Sequence, residues 1–288
     1  MTELDRFTAS IRAQFEEAGH RLEGLVSGLS SGSAFPGQYA RYVDPPVRHL
    51  FRSGGKLLRP LLLLLSARAV GEIPAGSSAA LVHAAAAVEL LHTASLAHDD
   101  LVDLSAERRG VPSLHRAFGT TTAVLVGDLF YARFFQELAC LPGVNAALRV
   151  RVLDAFLQVT AGMCEGEILE EQIRADGGEP TFAEYLHITD TKTAGLLSAC
   201  SRAGALLNFG SQPIVDTLAA YGRSLGLLFQ VADDLADGDA PFTDRARLIT
   251  TADECRAEAD RLLGQLPRNE ATATLAEIPA HILSGSRS

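Results

Sequence analysis

Two aspartate triplets of identical spacing are the residues in this chain best suited to chemistry: Asp99, Asp100 and Asp103, and Asp233, Asp234 and Asp237. On a helix the first and last member of each triplet stand at i and i+4, so their carboxylates share one face a turn apart, with the middle member beside them. Like charges so placed oppose helix formation. Each triplet nonetheless ends an apolar run, and three hard oxygen ligands at that density call for a cation such as Mg²⁺. One such triplet alone reads as a solvated helix end. Two copies point instead to two carboxylate walls facing one cavity, where several Mg²⁺ ions bind a diphosphate that neither wall could approach unaided. Charge developing on a departing diphosphate is stabilised by cations already in place.

Side-chain cations for such an anion are sparse. The chain has two lysines, Lys56 and Lys192, beside 23 arginines, and each lysine is either a point-charge phosphate ligand or an accident of composition. Arg59 follows Lys56 by three residues, so both point the same way from the start of a helix whose N-terminus itself favours an anion. Arg108 and Arg109 come soon after Asp103, in SAERRGVP. Their forked donors could reach phosphate oxygens, although an arginine pair alone is ordinarily solvated surface.

Helices must position these groups. Hydrophobic residues make up 47% of the chain, charged residues 21% and aromatics 6%, and the long Ala- and Leu-rich stretches are helix-forming while strand-like alternation is scarce. Residues 2–30 read as an amphipathic helix with Phe7, Ile11, Phe15 and Leu22 on one face. Pro45 and Pro46 read as lying just before a helix start, and Gly54 and Gly55 as separating that short helix from another beginning near Lys56. One long buried helix is expected over 77–102, and further helices over 120–140, 144–172, 181–207, 211–237 and 251–265. The fold class is all-α: a single domain over residues 1–288, built as a bundle with its site on facing helices.

Composition also excludes. A net charge of −10 without a basic stripe argues against a nucleic-acid partner. Cys140, Cys164, Cys200 and Cys255 have no metal-ligand or disulfide spacing, which fits a reducing cytoplasm. The acidic N-terminus lacks an apolar signal core. The most apolar stretches contain Pro60 and Arg68, or His83, Glu89 and His92, and read as buried helices with no transmembrane segment.

The segments GGKLLRP at 54–60, LLHTASLAHDDLVD with SAERRG between 90 and 110, GDLFYARFF at 127–135, DTKTAGLL at 190–197 and GLLFQVADDLAD at 226–237 resemble the trans-polyprenyl diphosphate synthases, the family that includes farnesyl and geranylgeranyl diphosphate synthases. The resemblance runs from about residue 40 to 240 and implies the isoprenoid synthase bundle around a central cavity, usually a homodimer. By resemblance, Lys56, Arg59, His92 and Arg109 hold isopentenyl diphosphate. Arg108, Lys192, Thr193 and Gln230 contact the allylic prenyl diphosphate, and Asp99, Asp103 and Asp233 are the main ligands of Mg²⁺, with three ions around a bound diphosphate. The implied reaction draws diphosphate off the allylic substrate, adds isopentenyl diphosphate to the carbocation and loses a proton to the released diphosphate. The product is five carbons longer and trans. His98 beside Asp99 reads as a hydrogen-bonded neighbour and not the base. In such enzymes product length depends on the depth open below the first triplet. Small Ala94 and Ser95 there suggest products of C20 or longer, unless Phe130, Tyr131, Phe134 or Phe135 closes the floor deeper.

Past Asp237 the chain departs from the family pattern. A lysine-bearing loop is expected there, yet none of the 51 residues after Asp237 is lysine, and the helices after about residue 238 should be shortened. Two alternatives stay open: prenyl transfer to a non-isopentenyl, phosphate-bearing acceptor or cyclisation on the same bundle, and a catalytically silent partner subunit. Retention of Lys56, Arg59 and His92 favours an acceptor bearing phosphate, and complete triplets speak against a silent subunit.

Overall fold

The computed structural model describes residues 11–31, 40–51, 57–237 and 244–285. Among them the only strands are the two-residue β1 (Glu107–Arg108) and β2 (Val111–Pro112), an antiparallel hairpin. The helices before it are α1 (Arg12–Ser31), α2 (Ala40–Leu50), α3 (Leu58–Val70) and α4 (Ala75–Val102); after it come α5 (Leu114–Phe118), α6 (Thr120–Ala139), α7 (Ala146–Ala175) and α8 (Phe182–Thr189). A π turn (Asp190–Ala194) leads directly into α9 (Gly195–Leu207), then α10 (Gln212–Asp237), α11 (Arg245–Leu263) and α12 (Glu270–Gly285).

Helix α4 is the axis of the bundle, packed against α1, α3 and α6, while α9 packs against α3, α7 and α10. Alanines 84 to 87 are all buried, and such small side chains let neighbouring helices approach α4 from several directions. By length and composition α4 could cross a membrane, yet 72% of its most apolar window is buried within the bundle. Local signals set several helix starts. Pro60 lies in the first turn of α3, where a missing N–H costs nothing. The Asn145 side chain accepts from the Leu148 amide at the start of α7, and Thr181 with Glu184 forms a capping box on α8.

The structure corrects some boundaries. Pro45 and Pro46 sit inside α2 rather than ahead of a helix; the fully buried Val47 and the packing of α2 on α1 outweigh the lost backbone bonds. The helix expected over 181–207 is interrupted by the π turn. The one expected over 251–265 starts earlier, where Asp244 caps it by accepting from the Arg247 amide. Helix α12 was not anticipated. It docks through Tyr221, whose hydroxyl donates to the Leu275 carbonyl at 2.7 Å, and through Asn269, which donates to the Arg68 and Ala69 carbonyls. Residues 1–10, the glycine pair 54–55 and Lys56 lie outside the described residues.

One buried charge ties three helices. The Glu137 carboxylate of α6, 7% exposed, lies 2.7 Å from Arg21 of α1, 3.3 Å from His83 of α4 and 3.4 Å from Arg133 of its own helix. Burial and the nearby Arg21 keep His83 below the usual histidine range, against the pull of Glu137.

Candidate functional site

A cavity of about 990 Å³ opens where α3, α4, the hairpin, α6, α7, α8, the π turn and α10 converge. Its lining includes Asp99 and Asp103 from the first triplet and Asp233 and Asp234 from the second. Arg59, His92, Arg108, Arg109, Lys192, Thr193 and Gln230 line the same space. Arg59 and Asp233, 174 positions apart in sequence, thus line one space because both triplets end long helices that point their carboxyl ends at one void.

Asp100 does not join that wall. One residue on from Asp99 it turns about 100° around the helix axis, to where it is 3% exposed and accepts from Arg108 Nε at 2.9 Å on both oxygens and from Nη2 at 2.7 Å. It holds Arg108 and does not line the cavity. Ala94 is corrected in the same way: it is fully buried in the core, and the cavity wall below Asp99 is formed by Ser95, Leu96 and Tyr131. Phe130 and Phe134 also lie in the core. Asp237 ends α10, and its side chain is outside the described residues.

Asp99 carries the clearest electrostatic signature. Burial and the nearby carboxylate of Glu167 push its carboxyl up to about 7, against the pull of Lys192 and Arg108. Glu167 belongs to an acidic stripe on α7 that the sequence reading missed: Glu167, Glu170 and Glu171 stand at helical spacing on one face with Arg174. Carboxylate oxygens of Asp103, Glu167 and Glu171 all lie within 4.8 Å of one another. The i, i+3, i+4 spacing was the available signal, but it resembles an ordinary solvated stripe until α4 is seen opposite.

Lys192 reaches this stripe, with Nζ 2.5 Å from both Glu167 and Glu170. Burial alone would lower its pKa, but the two carboxylates outweigh burial and raise it. The π turn that presents Lys192 and Thr193 is gripped on two sides. A Cβ on Gly166 of α7 would fall 2.3 Å from Thr191 Oγ1, and one on Gly226 of α10 would fall 2.4 Å from Ala194 Cα. Only glycines allow so close an approach. Arg223 adds a bidentate pair to Asp190, at 2.5 and 2.6 Å.

The second triplet is fixed by a relay. Thr193 Oγ1 donates to Gln230 Oε1 at 3.0 Å, Gln230 Nε2 donates to Asp234 Oδ1 at 3.0 Å, and the Tyr185 hydroxyl donates to Asp234 Oδ2. Burial and that hydrogen bond to Asp234 keep the Tyr185 phenol above its ordinary range. Tyr185→Phe should therefore remove one donor from Asp234 and, by loosening the carboxylate next to the candidate Mg²⁺ ligand Asp233, raise the Mg²⁺ concentration for half-maximal activity on the order of tenfold, as loss of an outer-shell hydrogen bond does. A Mg²⁺ titration of activity checks this.

The opposite end of the lining is a cationic corner. Arg59 Nε is buried without a partner, and so is Glu89 Oε1 on α4. Burial lowers the Arg59 pKa and raises that of Glu89, while burial and Arg59 with Arg109 push His92 well below its ordinary range, leaving it neutral. Arg109 itself has a left-handed backbone, at φ 52°, in the hairpin turn.

The chain matches the Polyprenyl synthetase family over residues 40–243. It is 37% identical over 195 residues to a geranylgeranyl diphosphate synthase of Methanosarcina mazei, a match covering 67% of this chain and 58% of that protein. A geranylgeranyl diphosphate synthase of Sulfolobus acidocaldarius is 37% identical over 222 residues, covering 77% and 64%. This chain therefore spans about three fifths of these relatives. Among solved structures, a geranyltransferase from Legionella pneumophila superposes with a TM-score of 0.80 at 28% identity, over 98% of this chain and 99% of that one. With aspartates of both triplets on one cavity of an all-α bundle, the chain belongs to the polyprenyl synthetase family.

Proposed function

We propose that this chain is a Mg²⁺-dependent prenyltransferase that joins an allylic prenyl diphosphate to isopentenyl diphosphate, making trans-prenyl diphosphates of C20 or longer. The observation that carries the reading is that Asp99, Asp103 and Asp233 line the same cavity as Lys192, Arg59, Arg108 and Arg109. The names of the relatives support it.

Among the described residues the donor set fits Mg²⁺: the clustered ligand atoms of Asp103, Glu167 and Glu171 are all carboxylate oxygens. Asp99, Asp103 and Asp233 would hold the metal, with Glu167 and Glu171 beside them. When bound, Mg²⁺ draws negative charge from the diphosphate leaving group. Lys192, Thr193, Gln230 and Arg108 hold the allylic diphosphate, and Asp100 keeps Arg108 aimed at it. Arg59, Arg109 and Lys56 hold isopentenyl diphosphate, with His92 as a neutral hydrogen-bonding partner. The apolar lining of Leu96, Met163, Ile188 and Phe229 keeps water from the carbocation.

Ser95 and Tyr131 set the floor. Ser95→Phe fills the space below Asp99 and should shift the main product from C20 or longer to C15, read by chromatography of the dephosphorylated products; unchanged lengths would place the floor elsewhere. The exposed apolar residues Val124 and Leu125 on α6 and Val150 and Leu157 on α7 support a homodimer packed through those helices, which light scattering would show. Four free cysteines support a cytoplasmic setting.

The deciding experiment incubates purified protein with Mg²⁺, farnesyl diphosphate and isopentenyl diphosphate, with mass spectrometry of the products. Metal-dependent C20 or longer product supports elongation. Diphosphate release without elongation would move the reading to another acceptor or to cyclisation, and no turnover would leave the silent partner subunit.

A further inference from the structure

The last turn of α7 carries an arginine that none of the roles above uses. Arg174 lines the cavity, and its side chain is 51% exposed. Its guanidinium lies 3.5 Å from Asp103 Oδ1 and 3.6 Å from Glu170 Oε1, and it also pairs with Glu171. Asp103 and Glu171 are two of the three carboxylates whose oxygens come within 4.8 Å of one another. A protein cation thus rests on the ligands that a divalent ion would take.

Pairs this exposed are weak, so a divalent ion displaces the guanidinium at small cost. The displaced charge cannot leave, because α7 tethers it at the cavity. There its planar fork of donors matches phosphate oxygens better than it matches solvent. Lys192 stands in the same relation to Glu167 and Glu170, so two cations flank the α7 stripe.

We propose that Arg174 is a substrate-binding residue that changes partners: it occupies Asp103 and Glu171 before metal binds, and moves onto the diphosphate once metal has taken those carboxylates. This rests on the diphosphate-binding reading of the cavity. It gives Arg174 opposite effects on the two ligands, which a residue that merely stabilises the helix end would not have.

The test uses the full chain and its Arg174→Gln and Arg174→Lys variants in two calorimetric titrations, Mn²⁺ alone and inorganic pyrophosphate in saturating Mg²⁺. Arg174→Gln should bind Mn²⁺ about two- to fivefold more tightly, since a competing pair is gone, and pyrophosphate on the order of tenfold more weakly, since charge-assisted hydrogen bonds are lost. Arg174→Lys should restore part of the pyrophosphate affinity. Two unchanged affinities, a change in only one, or a loss of both together overturns the assignment. Neither titration needs turnover. A wild-type chain that binds both probes but elongates nothing overturns the elongation reading and leaves the Arg174 result to stand on its own signs; one that binds no pyrophosphate overturns both.

Discussion

Asp99→Asn and Asp233→Asn should each lower turnover by at least about 10³-fold, because each removes a carboxylate that the proposed reaction needs to hold the Mg²⁺ at the diphosphate. The same change at Asp99 should make the metal-free protein more stable. The folded chain holds the Asp99 proton more tightly than the unfolded chain does, with a carboxyl at about 7 against a usual carboxylate value near 4. Ionisation therefore costs the fold stability as pH rises from about 4 to about 7, and above that window the loss is complete. Asparagine carries no such charge. At pH 8 in chelator, Asp99→Asn should unfold at a higher temperature than wild type, by up to a few kcal/mol of stability, while at pH 4 the two should melt together. Added Mg²⁺ should raise the wild-type melting temperature and leave the variant nearly unmoved. A variant that melts lower than wild type at pH 8 would show that Asp99 is held by contacts and not opposed by its burial.

Removing Glu137 should have the largest effect on the fold itself. In Glu137→Ala, Arg21, His83 and Arg133 lose the carboxylate they share across α1, α4 and α6. Breaking a buried pair costs several kcal/mol, and partial exposure of the three cations brings the expected loss to about 3 kcal/mol. For a chain of this size that is a fall of roughly 6–10 °C in the unfolding midpoint. Circular dichroism melts measure it; a fall under about 2 °C would mean that solvent already screens the cluster. Activity well below the midpoint should persist, since none of these side chains lines the cavity.

Legibility in the sequence tracked sequence distance. Helices with strong local signals, such as those carrying the two triplets, were readable from apolar runs and end residues to within a few positions. Asp99, Asp103 and Asp233 were readable as candidates because charge at the end of an apolar run is costly without a reason, and Lys192 because the chain has only two lysines. Asp100 was misplaced because a triplet read as letters lacks the helical turn that sends its middle member toward Arg108. The α7 stripe, Tyr185 and Glu89 were missed for a different cause: each acquires its meaning from a partner at least 20 positions away, and nothing local distinguishes it from solvated surface or core. The same holds for α12, whose docking depends on the Arg68 and Ala69 carbonyls two hundred positions earlier.

The π turn between α8 and α9 has a consequence for how this segment can change. Five residues, Asp190 to Ala194, form a wide turn where a regular helix would use fewer, and each extra residue rotates the downstream helix by about 100°. That offset lets Tyr185 and Lys192 look into the cavity while Leu196 and Cys200 look into the core. A uniform helix could keep only one of those two faces in phase. The segment is therefore locked in length more tightly than in composition. A substitution along it acts at one position, whereas deleting or adding a single residue would turn the whole of α9 out of register with the bundle and with the cavity-facing Lys192.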